Sequence, residues 1–147
     1  MLNKIQSSFY FLNNLNYVDF MKKIKVVAAI IIDNDKVLAT QRGYGEFKGL
    51  WEFPGGKIEK SESKEEALIR EIKEELNGNI TVEKFLLNIK FQYPNFYLDL
   101  DCYKCKLKGE IELLEHMNAK WLSDNELNSV KWIQADIEAV EYLKNIL

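Results

Sequence analysis

Residues 56–78 read Gly56-Lys57-Ile58-Glu59-Lys60-Ser61-Glu62-Ser63-Lys64-Glu65-Glu66-Ala67-Leu68-Ile69-Arg70-Glu71-Ile72-Lys73-Glu74-Glu75-Leu76-Asn77-Gly78. Two glycines, Gly55 and Gly56, lead into the stretch, and a helix is expected to follow. Ser63 is its N-cap, and Glu66 three residues later completes a capping box. Leu68, Ile72 and Leu76 recur every four residues and form an apolar stripe that faces a core. Glu71, Glu74 and Glu75 share an arc beside that stripe. Like charges three and four residues apart repel, by a few tenths of a kcal/mol per pair. A cation offsets this. With one His in the chain, an imidazole site is ruled out, and an all-oxygen set suits a hard divalent ion such as Mg²⁺. The other reading of the residues alone is a solvated acidic face with Arg70 and Lys73 nearby.

The rest of the chain bounds the answer. Its 147 residues suit one domain, with 47% apolar and 29% charged residues, as in a packed fold. No apolar run reaches the ~20 residues needed to span a bilayer. A net charge of −3 without a basic stripe argues against a nucleic-acid polymer as ligand. Only two of the 20 basic residues are Arg, so Arg42 stands out as a phosphate contact. Cys102 and Cys105, three apart on an expected strand, point to opposite faces and cannot share a metal or a disulfide. They read as reduced thiols of a cytoplasmic protein.

Along the chain, Ile24–Ile32 is a β-branched run expected to be a central strand. Asp33-Asn34-Asp35 is turn chemistry, and Lys36–Arg42 returns as a second strand. Residues 43–50, rich in Gly, form a loop suited to act as a lid. Residues 80–90 and 96–107 pair as strands around a turn at 92–95. Asn118–Leu122 is a short strand, Ser123 caps a helical turn over 124–127, and residues 133–146 form an amphipathic helix. The expected class is α+β, a mixed sheet sandwiched between helices. Residues 1–20 fit nothing downstream and read as an extension, leaving 21–147 as the domain.

The spacing Gly-x5-Glu-x7-Arg-Glu-aliphatic-x-Glu-Glu-x-Gly-aliphatic marks the Nudix hydrolases. Gly56, Glu62, Arg70, Glu71, Ile72, Glu74 and Glu75 fall in register with it. The end departs: Asn77 stands where Gly is usual, and Gly78 where an aliphatic is usual. Asn tolerates the left-handed conformation of a helix end, so the departure leaves every carboxylate in place. Trp51-Glu52-Phe53-Pro54-Gly55-Gly56-Lys57 further resembles the MutT-like branch, and the resemblance covers residues 22–147.

That resemblance implies a Nudix fold and hydrolysis of a nucleoside diphosphate linked to another group. It implies Mg²⁺, or Mn²⁺ in its place, held by Glu71, Glu74, Glu75 and the Gly55 carbonyl. Glu115 would approach from another loop as ligand or general base. Arg70 would hold the glutamates, with Glu62 and Lys57 as lesser members, Lys57 being either a phosphate contact or a surface charge. Asp136 would read the base, or else serve free amides at a helix start. The expected substrate is a nucleoside triphosphate, first 8-oxo-dGTP, which an ionised Asp136 favours, with (d)CTP or a modified pyrimidine nucleotide as alternative and a non-catalytic nucleotide-binding module as the alternative of another class. No membrane or nucleic-acid partner is expected; monomer and homodimer both stay open.

Overall fold

A computed structural model describes residues 22–147. The extension 1–20 lies outside the described residues. Among the described residues seven strands and two α-helices follow one another: β1 (Lys22–Asp33), β2 (Lys36–Gln41), β3 (Trp51–Glu52), β4 (Gly55–Lys57), α1 (Lys64–Leu76), β5 (Asn79–Gln92), β6 (Phe96–Lys108), β7 (Asn118–Leu122) and α2 (Ile137–Leu143).

β1 is the hub. It runs parallel to β6 from Lys22↔Phe96 to Ile31↔Cys105, and antiparallel to β4 at Val26↔Lys57, Val27↔Gly56 and Ala28↔Gly55. Its far end turns through Asn34 and Asp35, both at positive φ, into β2. β2 then pairs with β3 and β7, and β6 with β5. Side chains alternate across a strand, and both faces of β1 are covered. Val27, Ala29 and Ile31 pack with Ala67, Leu68, Ile72 and Leu76 of α1. Ala28 and Ile30 pack with Ala139, Val140 and Leu143 of α2. The mixed sheet is therefore sandwiched between helices, as expected. Cys102 and Cys105 enter these two different cores, each a free thiol.

The helix α1 starts and stops where its sequence says. Glu66 N–H donates to Ser63 Oγ at 3.1 Å, and Ser63 N–H donates to Glu66 Oε2 at 3.3 Å. Asn77 adopts φ 46°, and its N–H reaches the Lys73 carbonyl at 3.1 Å. Replacing Ser63 by Ala should lower stability by about 1 kcal/mol, read as a fall in the denaturation midpoint at unchanged m.

The C-terminal helix is shorter than expected. Residues 131–133 are extended instead, since Trp51 N–H donates to the Lys131 carbonyl at 2.9 Å and Ile133 N–H donates to the Trp51 carbonyl at 2.8 Å. A 3₁₀ turn over Gln134–Asp136 follows, and regular helix begins only at Ile137. The ladder bonds with β3 outcompete helix formation at Ile133. The turn after β7 is likewise 3₁₀, spanning Asp124–Ser129.

Candidate active site

β4 and α1 meet where Gly55 and Gly56 cross β1. A Cβ on Gly55 would lie 2.0 Å from the Val27 carbonyl oxygen and 2.8 Å from Ala28 Cα; one on Gly56 would lie 2.4–2.6 Å from the Glu71 carboxyl. Only glycine lets the loop pass this close to the strand and to the glutamates.

The three glutamates of the arc have three environments. Glu74 is 56% exposed, while Glu71 and Glu75 are 15% and 11% exposed at their side chains. Arg70 organises the outer part. Its guanidinium reaches Glu62 (Nε–Oε2 2.6 Å, Nη2–Oε1 2.8 Å), Glu71 (Nη1–Oε1 2.8 Å), Glu74 (Nη1–Oε2 3.2 Å) and the Lys57 carbonyl (3.0 Å). Its hydrogen bonds, with help from the Glu59 N–H, hold Glu62 down at about 2. Arg70 thus ties the carboxylates of Glu62, Glu71 and Glu74 together. The Lys57 side chain is exposed and lines the rim of the cleft described below.

Glu75 lies deeper. Burial, reinforced by the charges of Glu71, Glu52 and Glu115, pushes its carboxyl up to about 9 against a bond from the Gly55 backbone. Its Oε2 is buried with no hydrogen-bond partner. Burial also raises Glu71, against the pull of Arg70.

Glu115 sits on the loop between β6 and β7, and three backbone bonds dock that loop. Glu112 N–H and Leu114 N–H donate to the Leu76 and Glu75 carbonyls at 2.7 and 3.1 Å, and Met117 N–H donates to the Gln41 carbonyl at 3.0 Å. The loop therefore caps the C-terminus of α1, and it places the exposed Glu115 carboxylate near enough to raise Glu71 and Glu75.

Two side chains in this site carry no signal of partnership in the sequence. Glu52 of β3 is buried and takes both arms of Arg42, Nε–Oε2 at 2.8 Å and Nη2–Oε1 at 3.4 Å. The His116 side chain is nearly buried, with Nε2 3.3 Å from Glu52 Oε1 and 3.9 Å from Glu75 Oε2. Glu-His beside a strand has no spacing pattern of its own, and the contacts arise only when β3, α1 and the docked loop converge.

Beside the carboxylates opens a cleft of about 780 Å³ including its open mouth. Phe47, Tyr93, Phe96 and Leu98 line it, with Arg42 at one side and Asp136 inside. Phe47 comes from the loop over 43–50, which is closed by Arg42 N–H to the Leu50 carbonyl at 2.9 Å and Gly49 N–H to the Arg42 carbonyl at 2.8 Å. Asp136 stands at the N-cap position of α2, but its side chain makes no capping bond there. Its Oδ2 accepts from Phe53 N–H at 2.9 Å, and burial pushes the acid up to about 7 against that bond.

The fold and the box are those of a known family: the sequence profile of the NUDIX domain matches residues 22–143. The chain belongs to the Nudix hydrolases. It is 36% identical over 123 residues to the CTP pyrophosphohydrolase of Escherichia coli K12, covering 82% of this chain and 91% of that protein. To the 8-oxo-dGTP diphosphatase of the same organism it is 30% identical over 131 residues, 86% of this chain and all of that one. The solution structure of a MutT Nudix hydrolase from methicillin-resistant Staphylococcus aureus 252 superposes with a TM-score of 0.68 at 40% identity, over 86% of this chain and 98% of the other. Among the described residues no helix is long and apolar enough to cross a membrane.

The family's divalent metal fits these residues. Glu71, Glu75 and Glu115 supply hard oxygen donors, and the buried Glu75 Oε2, with no hydrogen-bond partner, has its lone pairs free for a cation. Among the described residues no three such side chains already surround one point; Glu71 and Glu74 are turned toward Arg70.

Proposed function

We propose that this Nudix hydrolase converts a nucleoside triphosphate to the monophosphate and pyrophosphate in the cytoplasm, with a (deoxy)cytidine triphosphate as the substrate that its geometry favours. The observation that carries the base assignment is Asp136, buried in the apolar cleft and held as an acid up to about pH 7. A neutral carboxyl has one donor and one acceptor, the complement of cytosine N3 and its N4 amino group. An ionised Asp136 favours 8-oxo-dGTP, and burial makes that form the minor one below about pH 7. Resemblance to the CTP pyrophosphohydrolase supports the same choice. 8-oxo-dGTP is the second reading, supported by several relatives of that name and by the match of an ionised carboxylate to the N1–H and N2 amino donors of guanine.

The base would enter the cleft beside the packed rings of Phe47 and Tyr93, and the phosphates would run past Arg42 and Lys57 toward the glutamates. Glu71, Glu74, Glu75, Glu115 and the Gly55 carbonyl would hold Mg²⁺, or Mn²⁺ in its place. Bound there, the ion would neutralise phosphoryl charge and acidify the attacking water. Arg70 would keep the carboxylates in place without touching substrate. Glu115, exposed on its loop, would take the proton lost as water adds to phosphorus and the bridging oxygen leaves with the other phosphate.

Pyrophosphate release across a panel of nucleotides tests the activity. The base assignment has its own test in the ratio of kcat/KM for dCTP to that for 8-oxo-dGTP, which cancels the titration of shared catalytic groups. Asp136 is protonated below its value of about 7 and ionised above it, so the ratio should fall by about tenfold or more between pH 6 and pH 8. In Asp136→Asn, where nothing titrates, the ratio should be flat. A sloping ratio in Asp136→Asn, or a flat one in the wild type, would show that the base is read elsewhere.

A further inference from the structure

The Arg42–Glu52–His116 chain is unexplained by the box. Its three residues come from just after β2, from β3 and from the loop after β6, and His116 at its end faces the inner oxygen of Glu75. Glu52 and His116 are nearly buried, at 10% and 5% side-chain exposure. A carboxylate only accepts hydrogen bonds, so the contact with Glu52 Oε1 places the ring proton of His116 on Nε2. The same Nε2 faces Glu75 Oε2 at 3.9 Å, too long for a hydrogen bond but close enough for electrostatic attraction. That oxygen has no hydrogen-bond partner, and neither has His116 Nδ1. Arg42 fixes Glu52 with two bonds. The main chain on either side of His116 is fixed as well: Leu114 N–H and Met117 N–H are bonded to α1 and β2, and the Glu115 carbonyl lies against Gly43, leaving no room there for a Cβ.

We infer that His116 is a positioning residue for the metal site: anchored by Glu52 and Arg42, it sets the orientation of the Glu75 carboxylate and thereby the affinity for the divalent cation. Partners that orient ligands from behind typically tune metal affinity by 10–100-fold. The inference rests on the reading of Glu75 as a metal ligand, so its test separates the two.

Mn²⁺ binding to the full chain, without nucleotide, is measured by the electron paramagnetic resonance of the free ion. His116→Phe keeps a buried ring and removes both nitrogens; it should bind Mn²⁺ about 10–100-fold more weakly than wild type. His116→Gln returns an N–H near the Nε2 position and should stay within about threefold of wild type, a rescue that mere packing of the ring does not predict. Glu75→Gln is the control and should lose Mn²⁺ as well. Loss in Glu75→Gln with wild-type affinity in His116→Phe overturns the inference alone, and so does equal loss in His116→Phe and His116→Gln. A wild-type chain that binds no Mn²⁺, or a Glu75→Gln chain that binds it undiminished, overturns the metal reading and this inference with it. Should His116→Phe fail to fold, Glu52→Gln carries the test. It should bind at least threefold more weakly, and unchanged affinity there overturns the role of the anchored histidine.

Discussion

Glu75→Gln should lower kcat by about a thousandfold and, in the metal-free chain, raise the melting temperature. Both effects have one cause. The carboxylate is buried among the like charges of Glu71, Glu52 and Glu115, and one of its oxygens has no hydrogen bond. At pH 8, below its value of about 9, the fold holds this carboxyl protonated although it ionises in the unfolded chain, and the isosteric amide avoids that cost. The gain should be about 1–2 kcal/mol at pH 8, or about 3–8 °C in Tm. The same substitution takes a charged ligand away from a reaction that is accelerated chiefly by electrostatic stabilisation of its transition state. Glu74→Gln makes the contrast: it should lose activity on a similar scale with little change in Tm, because Glu74 is more than half exposed and already paired with Arg70. Scanning calorimetry in a chelator, beside steady-state assays in Mg²⁺, checks both. Activity within tenfold of wild type in the two variants would remove the metal assignment. A lower Tm for Glu75→Gln would mean that the carboxylate is satisfied in solution.

Gly55→Ala should be the most destabilising single-methyl change in the site. Its Cβ would collide with main-chain atoms of Val27 and Ala28, in the middle of the central strand, where no rotamer change gives relief. β4 would have to lift from β1, breaking the pairs at Val26, Val27 and Ala28 and turning the Gly55 backbone away from Glu75. A loss of about 3 kcal/mol is expected, roughly 10 °C in Tm, together with loss of activity. Gly56→Ala differs in kind. Its Cβ would meet the Glu71 carboxyl, the movable end of a flexible side chain. Stability should fall by about 1 kcal/mol or less, while activity falls with the displaced carboxylate. Thermal denaturation of both variants separates the cases, and a Gly55→Ala chain that melts within about 3 °C of wild type would contradict the close crossing of β4 over β1.

Much of this molecule is written in local pattern. The Ser63–Glu66 box, the left-handed Asn77, the four-residue stripe of α1 and the β-branched run of β1 depend on neighbours a few residues away, so sequence alone determined those elements and the family they belong to. The opposite faces of Cys102 and Cys105 follow from the two-residue period of a strand in the same way. Tertiary structure decided what depends on distant partners. Glu71, Glu74 and Glu75 are equivalent in a helical projection; the packing of α1 on β4 and the docked loop buries Glu75 and leaves Glu74 exposed. The helix expected from Ile133 yields to ladder bonds with Trp51, far earlier in the chain. Asp136 is an acid tuned to about 7 by burial and by the amide of Phe53, 83 residues away. His116 and Glu52 share no motif, and they meet only because β3 and the loop after β6 are both held against the end of α1. Hydrogen-bond periodicity is local and can be read along the chain, whereas burial and charge environment are set by whichever segments fold over a side chain.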